Sequence, residues 1–334
     1  MRSIVAILFL YPLLLTAQTT RRDSLRQRAR VQALRIDSLL AEKNSRVNYD
    51  TVYIGRPQSR LTLKLRSNIS GSKFRVKGQR NEMEGGSNVS TDNKMTLSIG
   101  GSYRGISAGL ALNPGKLFGH YKDYELNLNA YGNRYGVDVA YQSSTTLSGN
   151  VSINDEDFFM QKGVMNMKML TVNGYYAFNG RRFSYPAAFT QSYIQRRSAG
   201  SWLVGFSFLG GSLTAGEKKS ERMPDYRIYV GHLGIGGGYG YNLALGQNWL
   251  IHLSALPTLV ISNRNNIKVD GQRRDMATEF PDLILAERAA IVRNFGNKYF
   301  AGATLVMTNS LLGDDDIDIN YRKWRTRLFV GVRL

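Results

Sequence analysis

The sequence has no cysteine, only 7 prolines in 334 residues, and no apolar run after its first residues long enough to cross a bilayer as a helix. The absence of cysteine excludes a disulfide scaffold, a thiolate metal site, a cysteine nucleophile and a lipid-modified N-terminal cysteine. Acidic residues are also in deficit, because 25 Asp and Glu stand against 44 Lys and Arg, for a formal charge of +19. This excess predicts attraction to an anionic partner. The frequent glycines and tyrosines, 34 and 19, favour long strands joined by tight turns.

The first residues have the pattern of a secretory signal peptide. Arg2 precedes an apolar run of 12 residues, 4–15, which ends in small residues with cleavage expected after Ala17. The run is shorter than the roughly 20 residues that a membrane-spanning helix needs. We therefore predict a signal peptide at 1–17 and export of the chain, which argues against nucleic acid as the anionic partner.

From residue 58 to the C-terminus, apolar and polar residues alternate with the period of a strand that has one apolar face. In RLTLKLR, 60–66, leucines alternate with basic residues, and RTRLFVGVRL, 325–334, alternates in the same way. The pattern predicts about 12 strands, at 60–78, 93–101, 103–112, 123–132, 134–143, 166–178, 201–211, 227–244, 248–261, 283–294, 298–310 and 323–334.

The connections between these strands alternate short and long. Long polar connections are expected at 79–92, 113–122, 144–165, 212–225, 262–282 and 311–322. An even strand number with short turns on one side and long loops on the other is typical of outer-membrane barrels. We predict an all-β fold, a transmembrane antiparallel β-barrel at 58–334, in the outer membrane, with both termini on the periplasmic, short-turn side.

The strand at 227–244 supports an outward apolar face. Tyr229, Tyr239 and Tyr241 share one parity, and the ten residues from Tyr229 to Tyr239 span roughly 33 Å, enough to reach from one aromatic girdle of a membrane barrel to the other when the strand is tilted. The opposite parity carries a glycine stripe, which indicates close approach by another backbone. That stripe is the expected plug groove, and it comprises Gly234, Gly236, Gly238 and Gly240. The alternative is a soluble periplasmic β-barrel that encloses its apolar face around an apolar ligand.

Residues 21–43 show the clearest helical period, with apolar side chains at three- and four-residue steps and arginines on the other faces. We predict a periplasmic N-terminal segment at 18–57 that contains this short amphipathic helix. The helix either plugs the barrel or binds an acidic periplasmic partner or the membrane surface.

Several local strings resemble an uncharacterised family of Gram-negative envelope proteins, a domain of unknown function usually taken for outer-membrane β-barrels. The strings are DTVYI at 50–54, FNGRRFSYPAAFTQ at 178–191, QRRSAGS at 195–201 and the closing GVR at 331–333. The resemblance implies a barrel fold and an outer-membrane location, and it brings no reaction, ligand or catalytic residue. The proline in YPAAF excludes a central strand, so we expect 179–200 to fold under or into the barrel. The alternative is an ordered surface turn without function.

Basic residues on the polar parity of the strands are predicted to line the lumen, where rings of Lys and Arg favour anions. The predicted lining comprises Arg60, Lys64, Arg66, Arg75, Lys77, Arg134, Arg325, Arg327 and Arg333. The alternative is that these charges are structural and pair with one another or with a plug.

The candidates for chemistry are few. His252 and Ser254 form a His-x-Ser pair, with Asn242 expected as a diagonal neighbour on the adjacent strand, and they are weak catalytic candidates for a phospholipase or deacylase. Asp314, Asp316 and Asp318 alternate in a long loop and are weak metal candidates, because their spacing does not match a calcium-binding EF-hand. The alternatives are loose divalent bridging to lipopolysaccharide phosphates and a solvated acidic loop. We predict no specific metal and no cofactor.

The first expectation for function is a non-enzymatic barrel, either structural or a narrow or plugged pore with a basic lumen. The second is an outer-membrane lipid-modifying hydrolase using His252 and Ser254. The expected partners are outer-membrane lipid, lipopolysaccharide and the barrel-assembly machinery. The last strand resembles the signal read by that machinery, although Leu334 stands where an aromatic residue is usual.

Overall fold

The structure is a computed structural model. It describes residues 31–32, 34–35, 38, 47–57, 59, 61–80, 83–103, 106–112, 123–153, 156–215, 226–246, 248–269, 272–275, 282–313 and 317–334. They fall into two compact units, one within Met1–Asn48 and Tyr103–Ile106 and the other within Tyr49–Ser102 and Ser107–Leu334.

In the first unit, the residues described within the predicted 21–43 helix are all helical. They are Val31, Gln32, Leu34, Arg35 and Ser38. The rest of that helix and the predicted signal peptide lie outside the described residues. Across the described part of the chain, no helix combines the length and the apolar character needed to cross a membrane.

The described residues form nineteen strands and, in the second unit, one short helix, α1, at Tyr185–Phe189. The strands are β1 Ile54–Gly55, β2 Leu61–Arg80, β3 Met83–Ser90, β4 Lys94–Tyr103, β5 Ile106–Leu112, β6 Tyr124–Tyr131, β7 Tyr135–Ser144, β8 Ser148–Ile153, β9 Glu156–Met160, β10 Met165–Ala177, β11 Ile194–Gln195, β12 Ala199–Ala215, β13 Tyr226–Leu245, β14 Trp249–Asn263, β15 Asn266–Val269, β16 Gln272–Asp275, β17 Leu283–Phe295, β18 Tyr299–Gly313 and β19 Ile317–Arg333.

Twelve of these strands close into a barrel. Following the pairings from β2 through β4, β5, β6, β7, β10, β12, β13, β14, β17, β18 and β19 leads back to β2. The last step is antiparallel, and at its end the backbone N–H groups of Leu61 and Leu334 donate to each other's carbonyl oxygens at 3.2 and 2.7 Å. The prediction of about 12 antiparallel strands is confirmed, and closure leaves no free edge in the barrel.

The connections predicted as long loops contain strands of their own. Strands β3, β8 and β9 pair with one another and extend β2 beyond the barrel, and β15 and β16 form a hairpin that continues β13. The expected polar loops at 79–92, 144–165 and 262–282 are therefore partly sheet. The alternating residues of these connections continue the strand pairing past the end of the barrel. The sequence prediction does not include them, because it limits each strand to about the length that spans a membrane.

The apolar parity of the barrel strands faces outward. Along β2, Leu63, Leu65 and Ile69 are exposed, whereas Lys64 and Ser70 between them are buried. Across the sheet, exposed apolar side chains include Met95, Leu97, Ile99, Leu126, Leu128, Val204, Phe206, Leu233, Ile235, Leu253, Leu259, Ile261, Ile291, Leu328 and Val330. An apolar exterior around a closed barrel is the arrangement of a membrane-spanning β-barrel. The soluble alternative, which requires this face to be enclosed, is wrong.

The barrel interior is layered. At the long-loop end, inward-facing apolar side chains form a cluster that includes Phe74, Met167, Leu209 and Tyr321. At the short-turn end, a second cluster forms around α1 and includes Phe183, Tyr185 and Phe300. Polar and charged side chains occupy the level between them.

Candidate functional site: the filled barrel interior

The segment at 178–198 joins β10 to β12 at the short-turn end and carries α1 and β11. Ser184 caps α1, where its hydroxyl accepts from the Ala187 N–H at 3.3 Å, and Pro186 sits in the first turn, where a missing N–H costs nothing. All five residues of α1 are buried, and the helix contacts β6, β14 and β17. The expectation that this segment folds under or into the barrel is confirmed. We call 178–198 the plug segment.

Residues 50–55, which precede the barrel, bind the plug segment through a strand pairing and an ion pair. Ile54 pairs with Gln195 in a two-stranded sheet of β1 and β11, and the Asp50 carboxylate lies 3.3 Å from Arg182 Nε. The Arg182 guanidinium lies over the Tyr53 ring, 4.9 Å from its centre. The DTVYI string and the plug strings, distant in sequence, therefore form one structural unit.

Gln195 is the central hydrogen-bonding residue of this unit. Its Nε2 donates to the carbonyl oxygens of Arg182 at 2.6 Å and Arg197 at 2.9 Å. Its Oε1 accepts from the Ser184 N–H at 3.1 Å and from Asn242 Nδ2 at 2.9 Å, which ties the plug segment to the barrel wall. Sequence reasoning did not single out Gln195, although it begins the QRRSAGS string.

Tyr185 projects from α1 into an aromatic cluster at the short-turn end. Its ring centre lies 4.3 Å from that of Tyr175, 4.9 Å from His252 and 5.1 Å from Phe183. Phe189 and Tyr131 complete the cluster at 5.9 and 6.4 Å. Such ring contacts add to the apolar area that α1 buries, so the plug segment is held by packing as well as by hydrogen bonds.

His252 lies beneath this cluster and bonds to both of its predicted neighbours. Its Nδ1 lies 2.7 Å from Asn242 Oδ1 and its Nε2 lies 3.0 Å from Ser254 Oγ. The register pairs Asn242 directly with His252, so the expected diagonal placement is wrong by two residues. Asn242 and His252 are 0% exposed, and the Phe189 ring stands 5.2 Å from the imidazole. The trio has the hydrogen bonds of a nucleophile and base, and all three of its residues are buried.

A buried ion pair crosses the middle of the barrel. Arg288 Nε and Nη2 donate to Asp138 Oδ2 at 3.0 and 2.6 Å, and Asp138 Oδ1 accepts from Asn129 and the Tyr131 hydroxyl. A second pair, Lys323 with Glu125, is 3.1 Å long. Sequence reasoning missed these four charged residues. They share the polar parity of their strands, which was the available signal.

Eight of the nine basic residues predicted to line the lumen lie in the described part of the chain, and they fall into three groups. Five residues face the interior, namely Lys64, Arg66, Arg325, Arg327 and Arg333. Arg75 and Lys77 do not, because each is an odd number of residues from Arg66 on an uninterrupted strand and therefore lies on the exposed outer face. Arg134 is exposed in the turn before β7 and is likewise wrong as a lining residue. Arg60 lies outside the described residues.

The glycine stripe on β13 is filled by its neighbours. A Cβ on Gly236 would lie 2.0 Å from the Pro257 carbonyl oxygen, and one on Gly238 would lie 2.0 Å from that of Ala255. At Gly240 the nearest atom is instead the Phe183 ring, at 2.9 Å. The stripe thus accommodates the close approach of β14, and the plug segment lies against it at Gly240. The backbone of β14 also lies near Gly234, 3.0 Å from a built Cβ.

The remaining predicted residues lie away from the interior. Tyr229, Tyr239 and Tyr241 are 40–44% exposed on the outer face, and Trp202 contacts Tyr239 edge to face at 5.2 Å. Asp318 is exposed at the long-loop end, and the other predicted loop carboxylates, Asp314 and Asp316, lie outside the described residues. Within the described ranges, no group of three or more potential ligands could hold a metal ion.

The model of one protein family matches the whole barrel and the residues just before it. It is Domain of unknown function (DUF4421), and the match spans residues 48–334. The chain belongs to this family. The residues that match the DUF4421 model include both the DTVYI string and the plug segment, so the structural unit that these two segments form lies within the matched region. A comparison with curated proteins finds no match.

Solved structures similar to this DUF4421 protein include outer-membrane proteins, all at low sequence identity among those named below. The outer-membrane protease OmpT of Escherichia coli is 7% identical, with a TM-score of 0.39 over 83% of this chain and 97% of that one. The translocator domain of the autotransporter NalP of Neisseria meningitidis is 9% identical, with a TM-score of 0.30 over 93% and 98%. OprG of Pseudomonas aeruginosa is 11% identical, with a TM-score of 0.26 over 83% and 97%. The strand pairing of the chain itself establishes the barrel.

Proposed function

We propose that this protein is a non-enzymatic, structural outer-membrane β-barrel whose lumen is closed. The observation that carries the proposal is the filling of the interior. The plug segment occupies the short-turn end, and the apolar cluster around Met167 and Tyr321 occupies the long-loop end. Between them, a cavity lined by Asn173, Lys323 and Arg325 has a volume of about 30 Å³, room for a few water molecules.

The proposed location is the outer membrane, with both termini in the periplasm. Supporting this, the outer face of the barrel is apolar, and Leu61 and Leu334 lie together at the end with the short turns. Outer-membrane lipid, lipopolysaccharide and the barrel-assembly machinery remain the proposed partners, with β19 as the strand that the machinery would read. An acidic partner for 21–43 remains a proposal as well.

Planar-bilayer conductance tests the closed lumen. We expect no stable conductance steps from the wild-type protein, and none after deletion of 18–45, because the plug segment and the apolar cluster remain in place. A general porin in the same bilayer is the positive control, and heat-modifiable gel migration of each sample reports folding. Reproducible steps from a folded sample of either protein would support the narrow anion-preferring pore and overturn the proposal.

One observation favours a second candidate, a lipid-modifying hydrolase. His252 is hydrogen-bonded on both sides, to Asn242 and to Ser254, as a catalytic base would be. The burial of this group under Tyr185 and Phe189 weighs against that candidate. We expect phospholipid and lipid A turnover to be the same in cells carrying the wild-type protein and His252→Ala. A loss of turnover with the variant folded in the membrane would favour the hydrolase.

A further inference from the structure

A group of four basic side chains faces the interior across the seam between the first and last barrel strands. Lys64 and Arg66 lie on β2, and Arg327 and Arg333 lie on β19. The register pairs Thr62 with Arg333, Lys64 with Gly331, Arg66 with Phe329 and Asn68 with Arg327, so the four alternate along two neighbouring strands. We call this group the seam cluster, and we propose that its Lys64 and Arg333 end, around the Phe300 ring, binds a small tetrahedral oxyanion of the phosphate or sulfate class.

The seam cluster lacks acidic partners. Among the residues that the structure describes, no Asp or Glu carboxylate lies within 4.0 Å of the charged nitrogens of these four side chains. By contrast, Arg288 and Lys323 each form an ion pair with a carboxylate. Its contacts are neutral instead, because Arg327 Nε donates to Asn68 Oδ1 at 2.7 Å and Arg333 Nη2 donates to Asn294 Oδ1 at 3.0 Å. Lys64 and Arg333 are buried, at 8% and 4% exposed, and buried charges of one sign are costly unless a counter-charge accompanies them, so this end of the cluster calls for an anion.

Arg333 presents the donors that such an anion needs. It is 4% exposed, yet its Nε and Nη1 have no hydrogen-bond partner, and Arg66 Nε is unpartnered in the same way. The guanidinium lies over the Phe300 ring, 4.5 Å from its centre, which restrains its plane. A planar guanidinium held in this way matches the geometry of an oxyanion, which accepts two parallel N–H bonds.

The plug segment closes the site. Lys64 Nζ donates to the Thr190 carbonyl oxygen and, at 3.0 Å, to Gln191 Oε1, while lying 5.5 Å from the centre of the Phe300 ring that also supports Arg333. One face of the seam cluster therefore meets the end of α1. This inference rests on the closed lumen proposed above, because water and salt in an open channel would screen these charges.

Isothermal titration of the refolded full-length protein with inorganic phosphate tests the site. The protein is first freed of phosphate and sulfate, and sulfate then serves as the competitor. We expect saturable binding near one equivalent, weakened about tenfold or more in Arg333→Gln, since an Arg–oxyanion contact is charge-assisted and bidentate. The matched control is Arg75→Gln, which removes a basic residue from the outer face of the same barrel seam and should leave the affinity unchanged.

The outcomes separate the site from the proposed function. Absence of saturable phosphate binding by the folded wild-type protein, or equal weakening by Arg333→Gln and Arg75→Gln, overturns the oxyanion site. Where Arg333→Gln does not fold by gel migration, Lys64→Gln replaces it with the same expectation, because Lys64 and Arg333 lie over the same Phe300 ring. Conductance of the wild type is measured on the same preparation, so a pore that conducts overturns the closed lumen independently of the phosphate titration.

Discussion

The ion pair between Arg288 and Asp138 offers the sharpest test of the interior. The two side chains are 3% and 5% exposed, and one carboxylate oxygen accepts two guanidinium N–H groups at 3.0 and 2.6 Å. Asp138→Asn keeps the shape of the side chain but removes its charge, which leaves Arg288 buried without a counter-charge. Breaking one side of a buried pair costs about 3–5 kcal/mol, so we expect the free energy of unfolding to fall by about 4 kcal/mol.

Urea unfolding of the protein in detergent or lipid vesicles measures this loss. The fluorescence of Trp202 and Trp249 reports the transition, because both side chains are exposed on the barrel. The control is Asp92→Asn, which breaks the exposed Lys162–Asp92 pair, 2.7 Å long, and should cost less than about 1 kcal/mol.

A double variant separates the charge from the packing. Asp138→Asn combined with Arg288→Met removes both charges and keeps an apolar side chain of similar length, so most of the lost stability should return. A loss below about 1 kcal/mol for Asp138→Asn alone would refute the reasoning, because it would mean that the pair is hydrated like a surface pair. So would a double variant no more stable than the single one.

Three further predictions use the same unfolding assay. Tyr185→Ala empties the aromatic cluster and should cost about 3–5 kcal/mol, with faster protease cleavage in the plug segment as a second readout. Gly236→Ala should lower the free energy of unfolding by about 1–3 kcal/mol, because the new Cβ meets the backbone of β14. Gly237→Ala is the control and should be almost neutral, because its Cβ would lie 3.5 Å from the nearest atom. Equal effects of the two substitutions would contradict this account. Gln195→Ala leaves buried donors and acceptors of the plug segment unpaired and should cost about 1–3 kcal/mol, and no change would show that water replaces the side chain.

Much of the barrel could be predicted because its signal is local. Alternation on β2 and β19 identifies which side chains share a face, and the twelve predicted strands correspond to the twelve of the barrel. The predictions failed where parity was not followed along a whole strand. The predicted lining includes Arg75 and Lys77 with Arg66, although an odd separation on one continuous strand puts them outside.

The interior was harder to predict because its contacts are between residues far apart in the chain. Asp138 and Arg288 are 150 residues apart, and Lys64 and Thr190 are 126 apart. No period or motif in one sequence links such positions. The direct pairing of Asn242 with His252, ten residues apart, is hard to predict for a different reason, because it depends on the length of a single turn.

The sequence by itself determined that this chain alternates, that its apolar parity is long enough to span a membrane, and that a proline-containing segment interrupts the pattern, because strand periodicity and backbone sterics are properties of neighbouring residues. Only the tertiary structure decided what fills the barrel. Closure through β2 and β19 brings the seam cluster together, and the plug segment meets DTVYI and the barrel wall, because side chains from distant strands come into contact only when the cylinder is complete.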